Sequence, residues 1–200
     1  MLSFQKPTKD VVHQFLGTQA SSAFTYSAVG ATANVPPADF IVDRARTRLG
    51  TGHHVFETAK AALQRWDHFQ LGWVEPGSAE SPIVPGQVVA IAASLFGTWW
   101  LNACRIVYVV DETGPISRFG FAYGTLADHA ESGEERFLVE WNSADDSVWY
   151  DILAFSRPQQ ILPWLGYPLL RWLQELFRQD SAEAMQRAVE SQTLLAAEMR

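Results

Sequence analysis

The spacing of apolar and polar residues changes character four times along the chain, and each change marks a switch between helix and strand. Residues 7–20 (PTKDVVHQFLGTQA) place Val11, Val12, Phe15 and Leu16 on one helical face, with Thr8 as the N-cap. Phe24 to Ala33 (FTYSAVGATA) is rich in aromatic and β-branched residues and reads as a first strand, stopped by Asn34-Val35-Pro36-Pro37. His54 to Leu71 returns to helical spacing through Val55, Phe56, Ala59, Leu63, Trp66 and Phe69, and Gly72 supplies the stop. The Pro- and Gly-rich stretch 75–86 is expected to carry no regular structure.

From Gln87 onward the period is two. Strands are predicted at 87–96, 100–110, 117–126, 134–141 and 147–155, joined by short turn-rich links such as Gly97-Thr98 and Asn142-Ser143-Ala144-Asp145-Asp146. Short links between successive strands imply an antiparallel meander. After Pro158 the helical period resumes, and Leu169, Leu170, Trp172, Leu173, Leu176, Phe177, Met185, Ala188, Val189 and Leu195 trace a stripe from Pro168 to about Ala196. Asp180-Ser181 is the point at which this helix would kink or divide.

Residues 39–52 leave two conformations open. Arg44, Arg46 and Arg48 share one face on a strand and splay apart on a helix, as a solvated face or a phosphate-binding stripe. Val88 to Cys104 contains no charged residue, a run better explained by two adjacent buried strands than by a membrane span.

Alternation within the strands assigns faces. Arg105 and Asp151 mark the outer side of their strands, which turns Asn102, Cys104, Ile106, Tyr108 and Val110 inward, with Val148, Tyr150, Ile152 and Ala154. In 134–141, Glu134, Arg136 and Glu140 face out, toward solvent or one another, while Glu135, Phe137, Val139 and Trp141 face in. Phe119, Phe121, Tyr123 and Thr125 complete the inner wall. The result is an apolar concave face with a few polar groups, the composition of a ligand pocket or of a filled core with mutually satisfied polar groups. The candidate ligand-binding residues are Asn102, Tyr108, Tyr123, Glu135, Trp141 and Tyr150.

Composition narrows the function classes. A formal charge of −7 opposes nucleic acid and anionic lipid as partners. Cys104 is the single cysteine, which removes an intrachain disulfide framework and suits a cytoplasmic location, and the N-terminus lacks the apolar core of a signal peptide. The chemistry-bearing clusters are few. His129 beside Glu134 or Glu135 forms a candidate acid–base pair. His53, His54 and Glu57, with His68 further on, lack a third convergent metal ligand and read as a surface cluster or helix cap. Cys104 reads as a buried apolar residue and Ser156 as a turn or cap residue, since no nucleophile-elbow glycines surround it. No phosphate-binding loop or dinucleotide fingerprint occurs, so no cofactor and no metal is expected.

Several short motifs point to a family. Tyr26-Ser27-Ala28-Val29-Gly30-Ala31-Thr32, Leu49-Gly50-Thr51-Gly52, Pro85-Gly86 and Asn102-Ala103-Cys104-Arg105-Ile106-Val107-Tyr108 occur in order. They are followed by Phe121-Ala122-Tyr123-Gly124-Thr125-Leu126, Gly133-Glu134-Glu135-Arg136-Phe137 and Phe155-Ser156-Arg157-Pro158. In these the chain resembles the family called domain of unknown function nineteen-ninety, which brings no established activity or catalytic residues. The element order is similar to that of the START and birch-pollen-allergen superfamily. That resemblance implies an α+β helix-grip fold, with a curved antiparallel sheet of about six strands wrapped around a long C-terminal helix and a helical segment inserted after the first strand. It also implies an apolar cavity for a small ligand; a closed calycin-like barrel is the alternative.

The chain is thus expected to be one domain, with residues 1–21 as a helical extension and 22–200 as the helix-grip-like unit. Its expected role is to bind a small, largely apolar molecule. The alternatives are an enzyme using His129 and Glu135 on such a ligand, or a structural or interaction module displaying Trp73 or Trp164.

Overall fold

The structure, a computed structural model, describes residues 1–78, 80–158 and 166–198, with side chains through residue 192. The elements in chain order are β1 (Leu2–Ser3), α1 (Lys9–Gln19), β2 (Ile41–Thr51), α2 (His53–Gln64), β3 (Val74–Pro76), β4 (Val88–Leu95), β5 (Thr98–Glu112), β6 (Ile116–Thr125), β7 (Glu131–Asn142), β8 (Ser147–Pro158) and α3 (Tyr167–Glu198). Among the described residues the strands form one antiparallel sheet ordered β2-β8-β7-β6-β5-β4-β3, with β1 paired to the start of β5. The two ends of this order are not joined, so the sheet is a curled half-barrel and not a closed calycin-like barrel. The predicted meander from β4 to β8 and the long terminal helix are both present.

The first long strand lies elsewhere than predicted. It is the ambiguous segment, β2, whose residues alternate between partly buried and exposed from Ile41 to Leu49, before a register shift at Gly50. Arg44 and Arg46 point outward and pair with Asp151 and Glu140 across the sheet. Residues 24–33, read as a strand for their aromatic and β-branched content, instead cross the convex face as an irregular strap that bends at residues 25–27 and ends in a 3-10 turn at Ala31–Ala33. The strap finds its backbone partners outside a ladder: Thr25 N–H donates to Thr125 O at 3.1 Å, and Gly30 and Thr32 N–H donate to the Glu134 carboxylate. Gly124 makes the crossing feasible, because a Cβ there would lie 2.0 Å from the Tyr26 hydroxyl.

Both faces of β4 and β5 are covered, which accounts for the charge-free run from Val88 to Cys104. On the convex side Val12 and Phe15 of α1 bury against Ala90, Ala92, Leu101 and Ala103. The Thr8 hydroxyl caps that helix by accepting from Val11 N–H at 3.4 Å. On the concave side Val89, Ile91, Cys104 and Ile106 join the main core with Phe121, Phe137, Tyr150 and Ile152. Each fully buried ring or branched chain there contributes about 1.5–3 kcal/mol.

Helix α2 buries Phe56, Ala59, Ala62 and Leu63, then ends at Gln64, earlier than its apolar stripe suggests. Trp66 adopts a left-handed backbone (φ 63°), and a 3-10 turn at Asp67–Phe69 follows. That turn drives Trp66, His68 and Phe69 into the core together, whereas a continuing helix would have kept Trp66 and Phe69 on one face and turned His68 away. The proline-rich stretch does include regular structure, for Val74–Pro76 pairs with Ala93, Ala92 and Ile91 of β4.

Helix α3 closes the concave side and runs unbroken through Asp180-Ser181. Both residues that suggested a break are satisfied by tertiary partners. The Ser181 hydroxyl shares a buried hydrogen bond with Tyr150 at 2.9 Å, and Asp180 accepts from the Trp73 indole N–H at 2.7 Å. No helix among the described residues is long and apolar enough to cross a membrane.

Candidate functional site

A cavity of about 220 Å³ lies between the concave face and α3. Strands β4 to β8 supply its floor through residues such as Ile91, Asn102, Tyr123 and Glu135, while Phe177 and Arg178 of α3 roof it and Phe69 and Trp73 form a side wall. Its surface is predominantly apolar, for the reason visible in the sequence: inward positions along each strand are mostly Val, Ile, Ala or aromatic.

Polar groups enter at defined points. Tyr123 and Glu135 are direct register partners on β6 and β7, and the Tyr123 hydroxyl donates to Glu135 Oε2 at 2.8 Å. Burial raises the Glu135 carboxyl to about 7 despite the stabilising Tyr123 hydrogen bond, and Glu131 pushes in the same direction. Glu131, four residues earlier on the same face, is also raised to about 7 by burial, although Ser156 and Gln174 donate to it. Asp43 behaves oppositely. Arg171 grips it with two hydrogen bonds of 2.6 and 2.7 Å and holds its carboxyl below the usual range against the cost of burial. Arg178 lies 3.5 Å from Asp43 and donates to Glu175 of its own helix.

The residues predicted from sequence divide among several places. Asn102, Tyr123 and Glu135 line the cavity. Tyr150 faces inward but is buried against Ser181 in the core beyond the cavity lining. Trp141 also faces inward, at the far end of the sheet, where it packs on His53 and Phe56 and donates to Asp146. Tyr108 lies on the convex face, contrary to its predicted inward direction. The β5–β6 register shifts between Ile106 and Tyr108, so one extra residue reverses the alternation, and the Tyr108 hydroxyl meets Thr32 at 2.8 Å. Val110 is turned outward by the same shift.

His129 borders the cavity, and its Nδ1 accepts from Glu131 N–H at 3.0 Å. Burial depresses its imidazole to about 4. Glu134 is not a solvated outer carboxylate: it is buried beneath the strap and accepts hydrogen bonds from Tyr26, Gly30 N–H, Thr32 N–H and the Thr32 hydroxyl. Arg136 does pair across the outer sheet, with Asp151 at 2.7 Å.

Cys104 is fully buried, its thiol pushed up by burial and then by the field of Glu135. Among the described residues no group of three His, Cys, Asp or Glu side chains is arranged to hold a metal. Trp73 is tied to Asp180, and Trp164 lies outside the described residues.

Sequence reasoning missed Asp43, Glu131, Gln174 and Arg178. The signal for Asp43 was present: on a strand it alternates with the outward Arg44 and Arg46 and must face inward. The three others depended on how α3 lies over β2, β7 and β8.

A family model described as a domain of unknown function, DUF1990, matches residues 25–184. A UPF0548 protein of Dictyostelium discoideum is 38% identical over 210 residues, covering 96% of this chain and 97% of that protein. One from Deinococcus radiodurans is 36% identical over 168 residues, covering 78% and 83%. Among solved structures, Ara h 8.0201 is 12% identical with a TM-score of 0.49, covering 76% of this chain and 99% of that one. Human STARD10 is 11% identical with a TM-score of 0.48, covering 97% and 86%.

Proposed function

The chain belongs to the DUF1990 family, and from the geometry of this member we propose that it binds a small, largely apolar molecule in the cavity between the sheet and α3. The observation that carries this reading is the void beside Glu135, in a fold whose core elsewhere is closely filled by aromatic side chains. Drug-sized pockets begin at roughly 300 Å³, so a cavity of about 220 Å³ suits a ligand of about one ring system. Hiding roughly 200 Å² of apolar ligand surface supplies about 5 kcal/mol before the costs of association. Tyr123, Glu135 and Asn102 are the polar groups that orient it.

The test is binding of the neutral one-ring dye 4-(dimethylamino)benzonitrile, followed by fluorescence, to the wild type and to Ala154→Phe, which places a ring in the lining. Enhanced emission with the wild type, lost in a folded Ala154→Phe variant, supports the cavity as the site. Equal emission from both refutes it. Native mass spectrometry of the protein from its own cells then identifies any molecule that co-purifies.

A second reading rests on one observation. The Tyr123–Glu135 pair holds a carboxyl raised to about 7 against the cavity, a poise suited to moving a proton on a bound molecule. The proton-transfer role falls to Glu135, because burial depresses the His129 imidazole to about 4, far from neutral pH. Unchanged turnover in Glu135→Gln on a substrate found by that route removes this reading.

A further inference from the structure

The polar balance of the cavity is asymmetric. Arg178, the arginine that lines it, is divided between Asp43 and Glu175, and Arg171 is held by both oxygens of Asp43. These two guanidinium groups therefore face two carboxylates of their own and offer no spare positive charge to a ligand. Glu135 is in the reverse position. Its hydrogen-bond partner among the described residues is the Tyr123 hydroxyl, at Oε2, and no Lys, Arg or His comes within ion-pair distance of it. Oε1 accepts nothing among the described residues, and the accessible surface that Glu135 retains belongs to the cavity lining.

The walls have matching character. The rings of Phe69 and Phe177 lie 5.3 Å apart by centroid and line the cavity together with Trp73. Aromatic faces carry partial negative charge and attract cations. The Asn102 side chain, further along the floor, also makes no hydrogen bond among the described residues.

Resting on the cavity reading above, we propose that the ligand carries a protonated amine, seated so that its N–H groups donate to Glu135 while its apolar body lies against Phe69, Trp73 and Phe177. A carboxylate or phosphate ligand would meet Glu135 with like charge and find the arginines already engaged. An alcohol would gain a hydrogen bond but no charge pairing.

Three probes of similar size separate these cases: 2-phenylethylamine, 2-phenylethanol and 3-phenylpropanoate, each titrated calorimetrically and as competitors of 4-(dimethylamino)benzonitrile at about pH 8, where Glu135 is ionised. The amine is expected to bind about tenfold or more tightly than the alcohol, and the propanoate most weakly. In Glu135→Gln the amine should fall to the level of the alcohol, while binding of the alcohol and of the neutral dye persists. Glu140→Gln, which removes one charge from the convex face, should leave the order intact. Dye binding with the alcohol equal to or tighter than the amine, or an amine preference that survives Glu135→Gln, overturns the proposal and leaves the cavity reading standing. Failure of the wild type to bind any of the four molecules overturns both.

Discussion

Glu134 and Glu135 are consecutive on β7, and their carboxylates occupy opposite faces of the sheet in opposite states of satisfaction. Four donors converge on Glu134 from the strap, including the Tyr26 hydroxyl at 2.7 Å, whereas Tyr123 alone donates to Glu135 among the described residues. One carboxylate fastens a covering segment to the convex face. Its neighbour keeps unused acceptor capacity toward the cavity.

Removing the fastener should unlatch the strap. Glu134→Ala leaves two backbone N–H groups and two hydroxyls without their acceptor, and should cost about 3 kcal/mol or more in urea unfolding. Hydrogen exchange should accelerate across 24–33 first. Gly124→Ala should produce a milder version of the same local release, since the new methyl displaces Tyr26.

The contribution of Glu131 and Glu135 to stability should fall as pH rises toward 7. Glu131 and Glu135 hold their protons to about 7 in the folded chain, against 4.5 when unfolded, so between those values the folded state binds more protons. Unfolding free energy therefore declines across that window, by about 1–3 kcal/mol for each carboxyl. Tyr123, Asp43 and Arg178 are the neighbours that modulate Glu135, and none reverses the sign. Glu135→Gln should flatten the decline, as measured by urea midpoints between about pH 5 and 8.

A different group governs the acid side. His68 is fully buried among Trp66, Phe69, Phe121 and Phe137, and neither ring nitrogen has a hydrogen-bond partner among the described residues. Burial holds its imidazole near 3 against 6.5 in the unfolded chain, so its contribution to stability is lost as pH falls below about 6.5. His129, depressed to about 4, acts with the same sign, and between 4.5 and 6.5 both oppose Glu131 and Glu135. His68→Leu should reduce that acid sensitivity to the part due to His129 and stabilise the protein by about 1–2 kcal/mol near neutrality.

The roof should prove to be fixed by specific polar pairs. Tyr150→Phe strands the Ser181 hydroxyl and should cost about 1–2 kcal/mol, and a double-mutant cycle with Ser181→Ala should return a coupling of about 1 kcal/mol. Asp43→Asn weakens the hold of β2 on Arg171 and Arg178, and should raise hydrogen exchange in the first half of α3 more than in the second.

Periodicity alone determined much of this protein. The meander from β4 to β8, α1 with its Thr8 cap, the long terminal helix and the inward direction of Tyr123 and Glu135 all follow from local pattern, because side-chain direction repeats every two residues on a strand. The tertiary structure decided what depends on partners distant in sequence. Residues 24–33 have the composition of a strand, but their hydrogen bonds go to Glu134 and Thr125, about a hundred residues away. An extra residue before Tyr108 reversed an alternation that no local signal interrupts. Asp180-Ser181 stays helical because Trp73 and Tyr150 complete its polar groups. Glu131, Gln174 and Arg178 became cavity residues only when α3 was laid over the sheet. A hydrophobic pattern specifies which side chains must leave water, whereas the docking of elements specifies which polar groups meet there and where space is left between them.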